Sequence, residues 1–433
     1  MRLPILHEGA KYLEYEIRQI VEDARKLQQL GLDITWENIG DPVAMGEKME
    51  PWIVESVQNL LFENRSWAYC PTRGLFETRD FLANQINKRG GAQVKADDLI
   101  FFNGVADAVD KVYKLVQRNA RILLPNPVYS THSSNESMRS GYANVQFMLD
   151  PKNNWQPDIG NIRMQVRYNP AIAGIGLINP DNPTGTVYRR EFLEDIVEIC
   201  RQNNLFLITD EIYAHICYNG TRTLHISEII GDDVPAICMR GISKEYPWPG
   251  ARCGWIEILN SDKNPDFKEY AKSILNAKML EVCSTTLPQM SIPIIFGDPR
   301  YPDHLKRRAA MFEKRANEAY EIFRHVPGLI VNRTMGAFYF SVVFEDGALN
   351  DKQTLPIANP KIRECVEKMA ANVSPDKRFV YYLLGSEGIC VTPLSGFATK
   401  LKGFRITLLN SDDEERPKTY HRIAEAVTSY LGS

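Results

Sequence analysis

Five short segments hold the residues best suited to chemistry. Asn179-Pro180-Asp181-Asn182-Pro183-Thr184-Gly185 follows the apolar run Gly174–Ile178; taken alone it reads equally as a loop closed by proline and glycine. Asp210 ends the apolar run Leu205–Thr209. A carboxylate at the carboxyl end of a parallel strand faces the crevice where α/β proteins bind ligands, although a helix cap is an equal use for it. Lys244 lies in Gly241-Ile242-Ser243-Lys244-Glu245, ahead of a Pro/Gly-rich loop that ends in Arg252-Cys253-Gly254. Lone lysines are ordinarily solvated; unlike arginine, though, a lysine can lose its proton and work as a base or nucleophile. Phe102-Asn103-Gly104-Val105-Ala106 passes from a strand through glycine into a helix, a turn whose free N–H groups and helix dipole suit an anion. Arg405 sits inside the extended run Gly403–Thr407, where an edge or ion-pair role is the commoner use of arginine.

Positioning these groups requires a large frame, and the chain is long enough to supply one. It has 433 residues, 44% hydrophobic and 24% charged, with 51 Lys and Arg against 54 Asp and Glu. A net charge of −3 gives no basic excess for nucleic acid or an acidic membrane surface. No apolar run approaches the ~20 residues of a membrane-spanning helix, and no secretory signal is visible. The eight cysteines have no CxxC pairing, so reduced thiols in a cytoplasmic protein are expected, and no metal site.

Periodicity predicts helices over Tyr12–Gly31, Pro51–Asn64 and Leu75–Arg89. Short apolar runs follow at Leu99–Phe102, Ile122–Leu124, Gly174–Ile178, Leu205–Thr209, Ala236–Met239 and Cys253–Leu259, alternating with helical stretches such as Arg190–Gln202. Strands that are apolar throughout imply a sheet covered on both faces. Beyond Arg315 the texture turns α+β: extended at Ala337–Phe344, Ile389–Val391 and Phe404–Leu408, helical at Lys361–Ala371, Asp376–Leu384 and Asp413–Tyr430. The division expected is an N-terminal segment, 1–45, packing with a small domain, 316–433, and a large α/β domain over 46–315.

In this order and spacing, the five segments resemble the aspartate-aminotransferase superfamily, fold type I enzymes dependent on pyridoxal 5'-phosphate, in its class I/II branch. Asn38-Ile39-Gly40-Asp41-Pro42, Tyr69-Cys70-Pro71-Thr72-Arg73-Gly74 and Pro125-Asn126-Pro127-Val128-Tyr129 strengthen the match, which covers about 35–430. The texture of Gly388–Phe397 and Gly403-Phe404-Arg405 is closest to the alanine-aminotransferase-like subgroup, with Leu394 where the common form has glycine. The resemblance implies a mostly parallel seven-stranded sheet in the large domain and a ping-pong transfer of an amino group from an L-amino acid to a 2-oxo acid. Lys244 matches the Schiff-base lysine, which holds the cofactor as an internal aldimine and then shuttles a proton. Asp210 matches the partner of the pyridine nitrogen; Tyr213 and Asn182 match the groups at its phenolic oxygen, and Tyr129 the aromatic ring stacked on it. Arg252, Ser243 and the backbone N–H groups of Gly104, Val105 and Ala106 match the phosphate site. Two hydroxyl positions common in the family are Ala106 and Gly241 here, which predicts weaker phosphate binding.

Arg405, with Gly40 and Asn182 beside it, matches the ligands of the substrate α-carboxylate. Tyr69 matches a residue that reaches the neighbouring subunit's phosphate, so the resemblance implies a homodimer with shared active sites. The sequence does not fix the isomer of Asn182–Pro183, cis in relatives, nor does it rank Arg18 and Arg73 as ligands for a second substrate carboxylate. A lyase or decarboxylase on the same scaffold is the alternative activity. A DNA-binding regulator of this superfamily would need a winged helix, for which the first ~45 residues leave no room. A nicotinamide dehydrogenase is set aside, because Gly174-Ile175-Gly176 has no third glycine at 179.

Overall fold

The computed structural model describes residues 3, 5–13 and 16–433. In chain order the strands are β1 (Thr35–Trp36), β2 (Leu99–Phe102), β3 (Arg121–Asn126), β4 (Val145–Asp150), β5 (Gln156–Pro157), β6 (Ile172–Ile178) and β7 (Phe206–Asp210). They continue as β8 (Ala236–Gly241), β9 (Gly254–Leu259), β10 (Leu329–Val331), β11 (Tyr339–Phe344), β12 (Ile389–Cys390), β13 (Thr392–Pro393) and β14 (Gly403–Thr407).

The large sheet has the order β2-β9-β8-β7-β6-β3-β4-β5. Four consecutive pairings, from β8 to β4, are parallel, whereas β9 runs antiparallel to both its neighbours. Seven strands form the body of the sheet, as expected; the two-residue β5 adds an antiparallel eighth at the edge. Both faces are apolar because successive side chains alternate sides. Leu99 and Phe101 enter one core with Leu193 and Ile196 of the helix Arg190–Asn203. Ile100 and Phe102 enter the opposite one with Val109 and Val112 of the helix Val105–Lys114.

A separate antiparallel sheet, β10-β11-β14-β13, lies in the C-terminal part. Its core gathers Phe340, Phe404 and Ile406 with Phe379 of the helix Pro375–Glu387 and Val427 of the helix Glu415–Leu431. Phe312 and Phe323 of the helix Tyr301–Phe323 join the same core. So do Ile20, Ala24 and Leu27 of the first helix, Glu16–Gln29. That helix is shorter than its periodicity suggested: residues 14 and 15 lie outside the described ones, and Leu13 is exposed ahead of it.

β4 reads Val145-Gln146-Phe147-Met148-Leu149-Asp150, apolar at four of its six residues, whereas the helix Ser130–Ser140 carries almost no hydrophobic signal. The latter buries Ser130, His132, Ser133, Glu136, Ser137 and Arg139. Its polarity is offset internally: Glu136 binds the Arg121 guanidinium through both oxygens at 2.7 and 2.8 Å, and Arg139 Nη2 donates to the Ala120 carbonyl at 2.8 Å. Pairing of this kind offsets the cost of burying the charged groups, while Ser130 Oγ, Ser137 Oγ and Arg139 Nε have no hydrogen-bond partner among the described residues.

Candidate active site

A cavity of about 670 Å³ opens at the carboxyl ends of β6 and β7 and extends to β14. Such a position is where an open α/β sheet binds its ligands. Asp210 is the last residue of β7, in register with Ile178 of β6 and Met239 of β8. Its Oδ1 accepts the Ile212 N–H at 3.0 Å, and its Oδ2 lies 3.1 Å from His132 Nε2. His132 Nδ1 in turn lies 3.2 Å from the Tyr113 hydroxyl. The carboxylate is therefore locked in one orientation from two sides.

Lys244 follows β8 by three residues, and its Nζ donates to the Gly40 carbonyl at 2.7 Å. Burial, together with the Arg252, Arg308 and Arg405 charges and against the opposing pull of Asp41, lowers its amine to about 8. An amine in that range exists partly as the free base near neutral pH, as a nucleophile or proton carrier requires.

One end of the cavity suits an anion. Gly104 caps the helix Val105–Lys114 with φ 88° and ψ 162°, a conformation essentially confined to glycine. A Cβ there would stand 2.6 Å from Arg252 Nη2, so the missing side chain lets the guanidinium lie against the helix start. Among the described residues Arg252 donates to carbonyls, Pro249 O at 3.2 Å and Asn103 O at 3.4 Å, and pairs with no carboxylate. Val105, Ala106 and Ser243 line the same region.

Arg405 defines another wall. It is buried on β14, with Nη1 donating to Asn182 Oδ1 at 3.1 Å and Nη2 to Asn38 O at 2.8 Å and Thr392 Oγ1 at 3.3 Å. Its guanidinium lies 4.3 Å from the Tyr339 ring centre and 5.0 Å from that of Phe397. Tyr339 Oη is 3.0 Å from Tyr213 Oη, and burial holds the Tyr213 phenol well above its usual titration range. Gly40 packs under this pair: a Cβ at Gly40 would stand 2.5 Å from Tyr339 Oη.

The cavity thus brings together Lys244, Asp210, Tyr213, Asn182, Arg252 and Arg405. Gly40, Tyr129, Ser243, Val105 and Ala106 also line it, and Gly104 sits just behind. Tyr69 does not: it is 85% exposed, outside the cavity. Of the two unranked arginines, Arg18 lines the wall, whereas Arg73 is turned to the Asp97 carbonyl. Among the described residues the cis bonds are Asn126–Pro127 and Asn179–Pro180, so the cis bond of this motif lies three residues ahead of Asn182–Pro183. Sequence reasoning missed His132 and Tyr339. His132 has no motif, and its contact with Asp210 spans 78 residues; Tyr339 was visible only as part of an alternating core strand.

The donor set fits pyridoxal 5'-phosphate: a lysine amine of lowered basicity, an oriented carboxylate, and a cationic helix start that a single Cβ would fill. No helix among the described residues is long and apolar enough to cross a membrane.

Residues 38–423 match the family model of aminotransferase class I and II. An uncharacterized aminotransferase of Methanocaldococcus jannaschii is 52% identical over 431 residues, covering 100% of both chains. The glutamate-pyruvate aminotransferase AlaA of Escherichia coli is 31% identical over 75% of this chain and 79% of its own. Among solved structures, the alanine aminotransferase of Pyrococcus furiosus superposes with a TM-score of 0.83 at 26% identity, over 97% of this chain and 98% of that one. The cavity, the donor set and these relatives agree: the chain is an aminotransferase and belongs to the class I and II family.

Proposed function

We propose that this aminotransferase uses pyridoxal 5'-phosphate to move the amino group of an L-amino acid onto a 2-oxo acid, with L-glutamate as donor and pyruvate as acceptor. The observation that carries the reading is one cavity lined by an amine of lowered basicity, a clamped carboxylate, an anion end and a buried arginine. When bound, the cofactor supplies an electron sink for negative charge at the substrate carbon. Every other part falls to the chain. Lys244 would hold the cofactor through its aldehyde carbon, and its Nζ would carry the proton that moves at the substrate carbon. Asp210, held by His132 and the Ile212 N–H, keeps the ring nitrogen protonated. Arg252, Ser243 and the N–H groups at 104–106 hold the phosphate, while Tyr129 packs on the ring and Tyr213 and Asn182 reach its hydroxyl oxygen.

Arg405 and Gly40 bind the α-carboxylate, and the Asn182 bond to Arg405 keeps the guanidinium aimed. Arg18, on the cavity wall, supplies a second cation for the distal carboxylate of glutamate; the names of the AlaA and alanine aminotransferase relatives favour the same pair. The molecule works as a cytoplasmic homodimer in this reading. Phe62, Trp67, Tyr69 and Leu280 are each more than 70% exposed. The segments bearing them are joined by Thr72 Oγ1 to Val282 O at 2.8 Å and Thr286 Oγ1 to Ala68 O at 2.7 Å. Apolar exposure of this extent suits a second copy, to which Tyr69 would be donated.

The test is a screen of twenty amino acids against the loaded protein. L-glutamate and L-alanine should each convert the visible band of the lysine-held cofactor to that of its amino form and stop after one turnover. Arg18→Met should abolish the response to glutamate while sparing alanine. Sustained release of ammonia and pyruvate from a donor alone would make the chain a lyase and overturn the reading.

A further inference from the structure

The reactive lysine is tied at both ends to one short turn, directly at the amine and through Arg308 at the backbone. At the side-chain end, Nζ donates to the Gly40 carbonyl at 2.7 Å. The chain then folds back on itself: Asp41 Oδ1 accepts the Val43 and Ala44 N–H groups at 3.0 and 3.1 Å, and the Glu47 N–H reaches the Pro42 carbonyl at 2.9 Å. At the backbone end, Arg308 Nη1 of the helix Tyr301–Phe323 donates to the carbonyls of Lys244 at 2.6 Å and Glu245 at 2.8 Å. The rest of that guanidinium grips Glu47, Nε to Oε1 at 2.5 Å and Nη2 to Oε2 at 3.1 Å, with the Arg308 side chain only 6% exposed.

We propose that the Arg308–Glu47 pair is a positioning device for Lys244, fixing the 40–47 turn against both ends of the lysine. Neither residue lines the cavity; they act through the lysine carbonyl and through Gly40. Only arginine fits the role, because its planar fork spans two carbonyls and a carboxylate at once, which an ammonium cannot. The pair also sets the lysine's electrostatic surroundings. Asp41 of the turn favours the charged amine, while Arg308 of its helix, Arg252 of the loop and Arg405 of β14 disfavour it. Across the same cavity stand Asp210, His132, Tyr213 and Arg18.

The inference rests on the reading above only in taking Lys244 as the reactive amine. Its test therefore needs no amino transfer. The full chain, freed of cofactor, is treated with formaldehyde and cyanoborohydride over a pH series, and methylation of Lys244 is quantified by peptide mass spectrometry. The rate profile yields the amine's titration midpoint and its limiting rate. Glu47→Gln, which leaves Arg308 unbalanced, should lower the midpoint, and Arg308→Gln should raise it, each by roughly half to one pH unit. Arg308→Lys keeps the charge but not the span, so its midpoint should stay near wild type while the limiting rate changes severalfold. Opposite displacements for the two glutamine variants, together with the altered limiting rate in Arg308→Lys, support the proposal. Loss of charge alone would not change the rate of a variant that keeps it, so an unchanged limiting rate in Arg308→Lys overturns it. A wild-type midpoint in both glutamine variants, or the same displacement in both, overturns it. If Arg308→Gln does not fold, an unchanged midpoint in Glu47→Gln or an unchanged limiting rate in Arg308→Lys overturns it just as surely.

Discussion

Replacing Arg405 by glutamine is the sharpest probe of substrate binding. The side chain is 2% exposed and already committed to Asn182, Asn38 and Thr392, so its guanidinium reaches the cavity preoriented. A carboxylate held by two of its N–H groups gains about 1.5–3 kcal/mol from each charge-assisted bond. Their joint loss, about 3–6 kcal/mol, corresponds to roughly a 10²- to 10⁴-fold fall in kcat/KM. Arg405→Lys, which keeps the charge but not the fork, should lose about half as much on the logarithmic scale. The assay is the stopped-flow half-reaction with each amino acid and, separately, with the oxo acid, alongside a titration of cofactor affinity. Both directions should suffer alike, because both substrates present an α-carboxylate, and cofactor affinity should change by less than about threefold. A kcat/KM within about threefold of wild type, or a loss confined to cofactor binding, would refute the role given to Arg405 and the geometry behind it.

Lys244→Ala should leave a folded chain, seen by circular dichroism, that lacks the visible band of the attached cofactor and has lost amino transfer by about 10⁴-fold or more. Gly104→Ala puts a methyl group 2.6 Å from Arg252 Nη2 at a φ of 88°. It should weaken cofactor binding at least about tenfold without altering the KM for amino acid, a split read by equilibrium titration against steady-state kinetics. Glu37 is buried beside Asn410, and burial raises its carboxyl to about 7 from 4.5. The native state therefore binds this proton more tightly than the unfolded chain, so the contribution of Glu37 to stability is greatest below about pH 4.5 and is lost as pH rises to about 7. Glu37→Gln should remove up to about 3 kcal/mol of that decline, measured as a smaller difference between urea midpoints at pH 5 and pH 8; an unchanged difference would count against it.

Legibility in the sequence followed burial chemistry. Strands buried on both faces betray themselves as unbroken apolar runs, and each of the six runs read that way became a strand, displaced by at most two residues at either end. Motif residues were equally visible, because Asp210, Lys244 and Arg252 sit at strand ends and loops whose spacing is local. What the sequence hid is what depends on distant pairing. The helix Ser130–Ser140 is polar except for Met138, and it buries its charged side chains because Arg121, ahead of it in the chain, and nearby carbonyls answer them. His132 and Tyr339 acquire their roles from partners 78 and 126 residues away. Arg18 and Arg73 were indistinguishable until the first helix was laid along the cavity wall.

The helix Tyr301–Phe323 has a mechanical meaning beyond its packing. Twenty-three residues at ~1.5 Å per residue make a stiff strut. Near one end Arg308 grasps the backbone of the lysine loop; farther along, Phe312, Ala316, Ala319 and Phe323 are embedded in the core of the C-terminal sheet. A displacement of that core, whether from a mutation or from a carboxylate arriving at β14, would reach the peptide groups that aim the amine through this strut. Changes far from any ligand, at 312 or 323, should consequently register as altered timing of proton movement rather than as altered affinity.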